Sequence, residues 1–149
     1  MTRLRAGGFR DALAEAGIGW SDVTTVNAAA NSREHGAVAA GHLLDRADRP
    51  SAILAVTDRL ALGVLDALAA RGLRPGLDVS VTGFDDIPEA AAAGLTTIRQ
   101  SAVEKGQIAG RLLLDPPDEP AQRQVLLPTE LIVRTSTGPA TDANSDGRN

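Results

Sequence analysis

Residues 51–86, SAILAVTDRLALGVLDALAARGLRPGLDVSVTGFDD, have the pattern of a strand, a helix and a second strand. The two outer runs, residues 51–56 and 79–84, are short and largely apolar, which is typical of strands buried on both faces of a parallel sheet. Residues 59–71 place apolar side chains at helical spacing, and Gly72 then predicts the helix end. A strand–helix–strand unit of this kind predicts an α/β fold.

The alternation of helix and strand continues on both sides of this unit. Before it we predict a helix over 3–16 that ends at Gly17, a strand over 22–27 and a helix from the N-cap Ser32 to about residue 45. After it we predict a short helix that ends at Gly94, an extended segment over 95–100, a helix over 102–114 and an extended segment over 124–136. The whole pattern predicts an open, mainly parallel sheet flanked by helices.

Composition excludes several classes of protein. The 149 residues form about one domain, and a net charge of -4 argues against a free-standing nucleic-acid binder. Without cysteine, the chain has no disulfide or thiolate metal ligand, and His35 and His42 are seven residues apart rather than the four of a helical metal pair. We therefore expect no metal and no cofactor.

The chain ends also carry predictions. The N-terminal residues contain no long apolar stretch, so we expect neither a signal peptide nor a membrane span, and a cytoplasmic location. Residues 139–149 are small, polar and unpatterned, which predicts a disordered tail.

Candidate binding residues follow the two buried strands, because ligands of open α/β sheets bind at the carboxyl ends of the strands. Asp86 and Glu89 have the spacing of a capping box, so we predict that Asp86 caps a helix and that the adjacent Asp85 contacts a ligand. Asp58 fits a helix cap and a ligand contact equally well. Ser101, three residues before Glu104, predicts another cap.

Catalytic motifs are absent from the sequence. It contains no phosphate-binding glycine loop of either common type and no nucleophile elbow, and no histidine follows the TGFDD turn to complete a triad. We therefore predict that the chain is not an enzyme.

Several blocks of sequence together resemble the LacI/GalR family of bacterial transcription regulators. They are AILAVTDRLALGVLDALAARGLRPGLDVSVTGFDDIPEA, LTTIRQSAVEKGQIAGRLLL and LLPTELIVRTSTGP, and the similarity extends back to RLRAGGFRDALAEAGI. The resemblance implies a periplasmic-binding-protein-like fold of type I, mostly its C-terminal lobe. Residues 1–98 would form that lobe without its first strand, 99–120 the crossover and a helix of the N-terminal lobe, and 121–138 the return strand.

The resemblance also implies roles for individual residues. Arg5 and Asp85 match the positions at which the family contacts its effector, and Asn31 stands where many relatives place an aromatic side chain. The remaining matches are the cleft residues Thr57 and Asp58, the crossover residue Gln100, and the candidate dimer contacts Leu62 and Ala91.

The function implied is that of the sensing part of a transcriptional repressor. Its effector would be a sugar or nucleoside-like molecule, its assembly a homodimer, and operator DNA would be bound only through a helix-turn-helix that this chain lacks. The alternative is the sugar-binding protein of an ABC transporter, against which we count the absence of a signal peptide and the paired acids of GFDD.

Overall fold

The computed structural model describes residues 2–140, so most of the predicted tail, 141–149, lies outside the described residues; residues 139 and 140 have no regular structure. The helices are α1 (Thr2–Glu15), α2 (Arg33–Leu44), α3 (Asp58–Ala69), α4 (Pro88–Ala92) and α5 (Ala102–Leu114). The strands are β1 (Ala52–Leu54), β2 (Ser80–Thr82), β3 (Thr97–Gln100) and β4 (Thr129–Ile132). Short 3₁₀ turns occupy Trp20–Asp22 and Pro120–Arg123.

The strands follow one another across the fold in chain order. β1 pairs with β2 in parallel, with Ile53 opposite Val81, and β3 pairs with β4 antiparallel. Single parallel bridges, Thr82 with Thr96 and Asp85 with Arg99, join the edge of β2 to the edge of β3. The predicted mainly parallel α/β fold is confirmed.

The core begins at α2, whose backbone touches that of α3 through two glycines. A Cβ atom on Gly63 would lie 2.0 Å from the carbonyl oxygen of Arg33, and one on Gly36 would lie 2.3 Å from that of Leu60. This helix pair covers β1 and β2. The buried side chains include Ala40, Leu44, Ile53, Leu68, Val79, Val81 and Leu95.

The predicted strand over 22–27 does not form. A strand needs a bonded neighbour, and no other described segment pairs with these residues. None of residues 3–35 is buried, so α1 and the segment after it lie outside the apolar core.

Two predicted helix ends are confirmed. Gly17 has a φ of 77°, the Ile18 N–H donates to the Leu13 carbonyl at 2.8 Å, and the Gly17 N–H donates to Ala14 at 3.0 Å, which together make a Schellman motif. Ser32 caps α2 by accepting the His35 N–H at 3.3 Å.

Three other candidate caps make no capping hydrogen bond. Thr57, and not Asp58, caps α3 by accepting the Leu60 N–H at 3.3 Å. Asp86 does not cap α4, which begins after Ile87 without a side-chain cap. Ser101 precedes α5 as predicted, but its side chain makes no capping hydrogen bond. The carboxylates of Asp58 and Asp86 bond instead to residues further along the chain, Asp58 to Thr97 and Asp86 to Arg99 and Arg134.

α5 stands apart from the core. None of its residues is buried, and the apolar side chains of Val103, Leu113 and Leu114 are largely exposed. No helix among the described residues has the length and apolar character needed to cross a membrane.

Candidate functional site

Asp85 and Asp86 form an unusual turn directly after β2. Their φ angles are 126° and 56°, in the left-handed region that non-glycine residues rarely adopt. Such strained backbone persists only where surrounding contacts hold it, and it is concentrated at functional sites. The turn sends the two carboxylates to different partners.

The Asp85 carboxylate has one occupied and one available oxygen. Its Oδ1 accepts hydrogen bonds from Arg5 Nη2 at 3.4 Å and from Gln100 Nε2 at 2.5 Å. Its Oδ2 accepts none from residues 2–140, and the side chain is 27% exposed. Asp85 is therefore held in place by two donors while Oδ2 can accept a hydrogen bond from a ligand.

Arg5 connects α1 to the carboxyl ends of β1 and β2. Its Nη1 donates to the carbonyl oxygen of Val56 at 2.5 Å, and its guanidinium carbon lies 3.8 Å from the centre of the Phe84 ring. The side chain is only 12% exposed. Stacking on Phe84 and bonding to both strand ends fix the guanidinium plane.

Lys105 belongs to the same network of hydrogen bonds as Asp85 and Gln100. The sequence patterns did not identify it as a site residue. Its Nζ donates to Gln100 Oε1 at 2.7 Å. With a cation at Oε1 and a carboxylate at Nε2, the Gln100 amide has one favourable orientation. The available signal was that Lys105 is the only lysine in the chain.

Asn31 and Thr57 form a second pair. Thr57 Oγ1 donates to Asn31 Oδ1 at 2.6 Å, and Thr57 directly follows Val56, the carbonyl partner of Arg5. Asn31 is exposed. Thr57 is therefore adjacent in sequence to a residue that Arg5 contacts.

Asp58 is not available to a ligand, contrary to the prediction. It is completely buried, its Oδ1 accepts the Thr97 hydroxyl at 2.5 Å, and its Oδ2 accepts the Ile87 N–H at 2.9 Å. Asp58 instead ties the start of α3 to β3 and to the residue before α4. Asp58 is therefore not part of the candidate site.

The two candidate dimer contacts differ in exposure. Leu62 is 5% exposed, so it offers almost no surface for a dimer contact. Ala91 on α4 is exposed and stays a candidate.

Asp86 lies between two arginines. Its Oδ1 accepts Arg134 Nη2 at 2.7 Å and its Oδ2 accepts Arg99 Nε at 2.7 Å. Burial tends to raise the pKa of the Asp86 carboxyl, but the hydrogen bonds from Arg134 and Arg99 outweigh burial, so the pKa lies below its usual range.

This depressed pKa predicts a stability effect of pH. The contribution of Asp86 is present above the pKa of an unfolded aspartate, about 3.9, and is lost as the pH falls through the lower folded pKa. We expect Asp86→Asn to lower the free energy of unfolding by a constant amount from pH 7 to about pH 5 and by less below about pH 4. Urea unfolding at stepped pH measures it; a difference that grows on acidification would contradict the expected sign.

The chain is similar to known proteins over most of its length. Residues 1–137 match the periplasmic binding protein-like domain. The chain is 36% identical to the HTH-type transcriptional regulator Rv3575c of Mycobacterium tuberculosis, over 92% of this chain and 38% of that protein. It is 39% identical to the HTH-type transcriptional regulator DegA of Bacillus subtilis, over 91% of this chain and 41% of DegA.

Solved structures give the same result. A LacI family transcriptional regulator from Enterococcus faecium with bound ribose superposes with a TM-score of 0.82 at 30% identity, over 94% of this chain and 52% of that one. A putative LacI-family regulator from Sanguibacter keddieii superposes with a TM-score of 0.78 at 33% identity, over 92% and 53% of the two chains.

The fold and the comparisons define a lobe of the periplasmic-binding-protein type. The chain belongs to the family of periplasmic binding protein-like domains found in LacI-type transcriptional regulators. It spans about two fifths of the length of the curated regulators named above.

Proposed function

We propose that this chain forms the effector-sensing part of a LacI-type transcriptional repressor, and that Arg5, Asp85 and Gln100 contact the effector. The observation that carries the proposal is the hydrogen-bonded group at the carboxyl ends of β1 and β2, where one oxygen of Asp85 is left available. In an open α/β sheet this edge is where ligands bind.

The chemistry of the site favours a ligand with several hydroxyl or ring N–H groups. Asp85 Oδ2 accepts such a donor, and Arg5 has more N–H groups than its two hydrogen bonds use. Asn31 and Thr57 add an exposed amide and a hydroxyl beside them. A sugar or a nucleoside fits these groups, and the ribose in the Enterococcus faecium regulator supports the sugar.

We propose a division of the chain into two lobes. Residues 1–98 and the return segment 121–138 form the C-terminal lobe, whereas 99–120 belong to the N-terminal lobe. The exposed apolar side chains of α5, absent from the core, support the assignment of 99–120. In this arrangement the effector binds between the lobes.

The proposed mechanism is a shift between two conformations and involves no catalysis or cofactor. An effector that binds the closed lobes more tightly than the open lobes changes how a cytoplasmic homodimer presents its DNA-binding heads to an operator. Ala91 on α4 is the proposed dimer contact that remains. The transporter alternative is not favoured, because the similar proteins named above are transcriptional regulators.

A screen of small molecules tests the proposed function. Ribose, other pentoses and hexoses, nucleosides and purine bases are added to the ¹⁵N-labelled chain, and amide shifts are followed. We expect a binder to shift the signals of residues 84–86, 100 and 105 together. Binders that shift only α2 or the tail, or that bind Asp85→Ala equally well, would contradict the site.

Affinity of the isolated chain is expected to be weak. The group around Asp85 provides one wall of the proposed cleft, and half the contacts of a two-lobed site would come from the other lobe. Calorimetry with the best compound of the screen should give a dissociation constant above about 10 μM, less favourable than about -7 kcal/mol. Tighter binding would show that this lobe alone makes the site.

A further inference from the structure

The Asp86 carboxylate is enclosed by two arginines from different parts of the chain. Each of its oxygens accepts one guanidinium hydrogen bond of 2.7 Å, from Arg99 in β3 and from Arg134 shortly after β4. Its side chain is 9% exposed, so water competes little for these bonds. Two charge-assisted bonds to a nearly buried carboxylate hold it firmly.

Both arginines are themselves fixed to the strands. Arg99 Nη1 donates to Glu130 Oε2 at 3.0 Å, and Glu130 lies opposite Arg99 in the β3–β4 pair. Arg134 Nη1 donates to the Leu95 carbonyl at 2.7 Å. Asp86 therefore bonds to the strand that leads into α5 and to the segment that returns from it.

The neighbouring Asp85 depends on the same turn. Both acids have left-handed φ angles, and the Asp85 N–H donates to the Ile98 carbonyl at 2.9 Å. Without a contact that holds Asp86, the backbone would relax towards more favourable angles and turn the Asp85 carboxylate away from Arg5 and Gln100.

We propose that Asp86 is a positioning residue: through Arg99 and Arg134 it holds the strained turn that aims Asp85 at Arg5 and Gln100, and so couples the candidate site to the strands on either side of α5. The inference rests on the proposed function for its biological meaning. The coupling itself is a property of the folded chain and is measurable without an effector.

The test uses the side-chain amide of Gln100, whose Nε2 bonds to Asp85. In ¹⁵N spectra of the full chain, with the Gln100 signals assigned by their loss in Gln100→Asn, we expect Asp86→Asn to shift both Nε2 proton signals and to speed their exchange with water about tenfold, the effect of losing one charge-assisted hydrogen bond. The Arg5 Nε–H signal should shift with them.

A matched control separates positioning from general stability. Asp66 also accepts two hydrogen bonds from one guanidinium, that of Arg33, on the exposed outer face of α2 and α3. Asp66→Asn is expected to leave the Gln100 and Arg5 signals unchanged. If Asp86→Asn lowers the melting temperature yet leaves both signals in place, Asp86 is an ordinary ion-pair residue and the proposal fails.

A second variant covers the case in which Asp86→Asn does not fold. Arg99→Gln removes the more exposed of the two arginines that bond to Asp86 and leaves Arg134 in place. We expect the same Gln100 signals to shift in the same direction by a smaller amount. Unchanged signals in a folded Arg99→Gln would overturn the role of β3. If the coupling is present but no compound binds, the proposed function fails and this inference stands.

Discussion

Replacing Asp85 by alanine is expected to abolish measurable binding of any compound that the screen identifies. The substitution removes Oδ2, the available acceptor, and also frees Arg5 and Gln100 from the atom that both donate to. Loss of a hydrogen bond to a charged group costs about 1.5–3 kcal/mol, or a factor of about 10 to 150 in affinity. From a weak starting affinity, this loss takes binding below detection by titration of amide shifts.

Two companion variants sharpen this result. Asp85→Asn keeps the size of the side chain but removes the charge, so it should fall between the wild type and alanine. Asp66→Ala removes a carboxylate from a distant surface ion pair and should not change the affinity. Equal affinities for Asp85→Ala and the wild type would exclude Asp85 from the site and, with it, the proposed function of this edge of the sheet.

Replacing Gly63 by alanine is expected to produce a large loss of stability. The new methyl group would lie 2.0 Å from the Arg33 carbonyl oxygen and 2.5 Å from the Ala37 nitrogen, both backbone atoms of α2. Because no flexible side chain can move away, α2 and α3 must separate, at a cost of about 3 kcal/mol or more. Thermal unfolding should show a fall of roughly 10 °C or greater.

α5 offers controls for this prediction. Gly106 and Gly110 lie within that helix, and nothing lies within 4 Å of a Cβ added to either. Gly106→Ala and Gly110→Ala are expected to be neutral or to stabilise the helix by about 0.5–1 kcal/mol each, since alanine loses less backbone freedom than glycine. A melting temperature for Gly63→Ala equal to that of Gly110→Ala would mean that the contact of α2 with α3 is not close-packed.

The paired acids show how far local sequence patterns predict a site. The pattern predicted different roles for the two acids, and in the structure Asp85 bonds to Arg5 and Gln100 whereas Asp86 bonds to two other arginines. The contact of Asp85 with a ligand stays a prediction. It assigned Asp86 the wrong structural role, because capping-box spacing considers only the next three residues. The partners that Asp86 takes are Arg99 and Arg134, 13 and 48 residues further along the chain.

The sequence alone determined the order of the elements and most helix ends. Apolar runs identified β1 and β2, and Gly17, Ser32 and Gly94 marked helix boundaries, because these features depend on contacts within a few residues. Asp85 was predicted from its place after a buried strand and again from the resemblance, whereas Arg5 and Gln100 came from the resemblance. The structure brings these three side chains into one hydrogen-bonded group. Their role in binding stays a prediction.

Only the tertiary structure decided where the polar side chains found their partners. Asp58 is buried against Thr97, Lys105 joins the site through Gln100, and residues 22–27 remain outside any strand. The physical reason is the same in each case. Hydrogen-bond partners can lie far apart in sequence, and only folding brings them within bonding distance. The Asp58 carboxylate and the Gln100 amide find such partners, whereas residues 22–27 find no strand partner among the described residues.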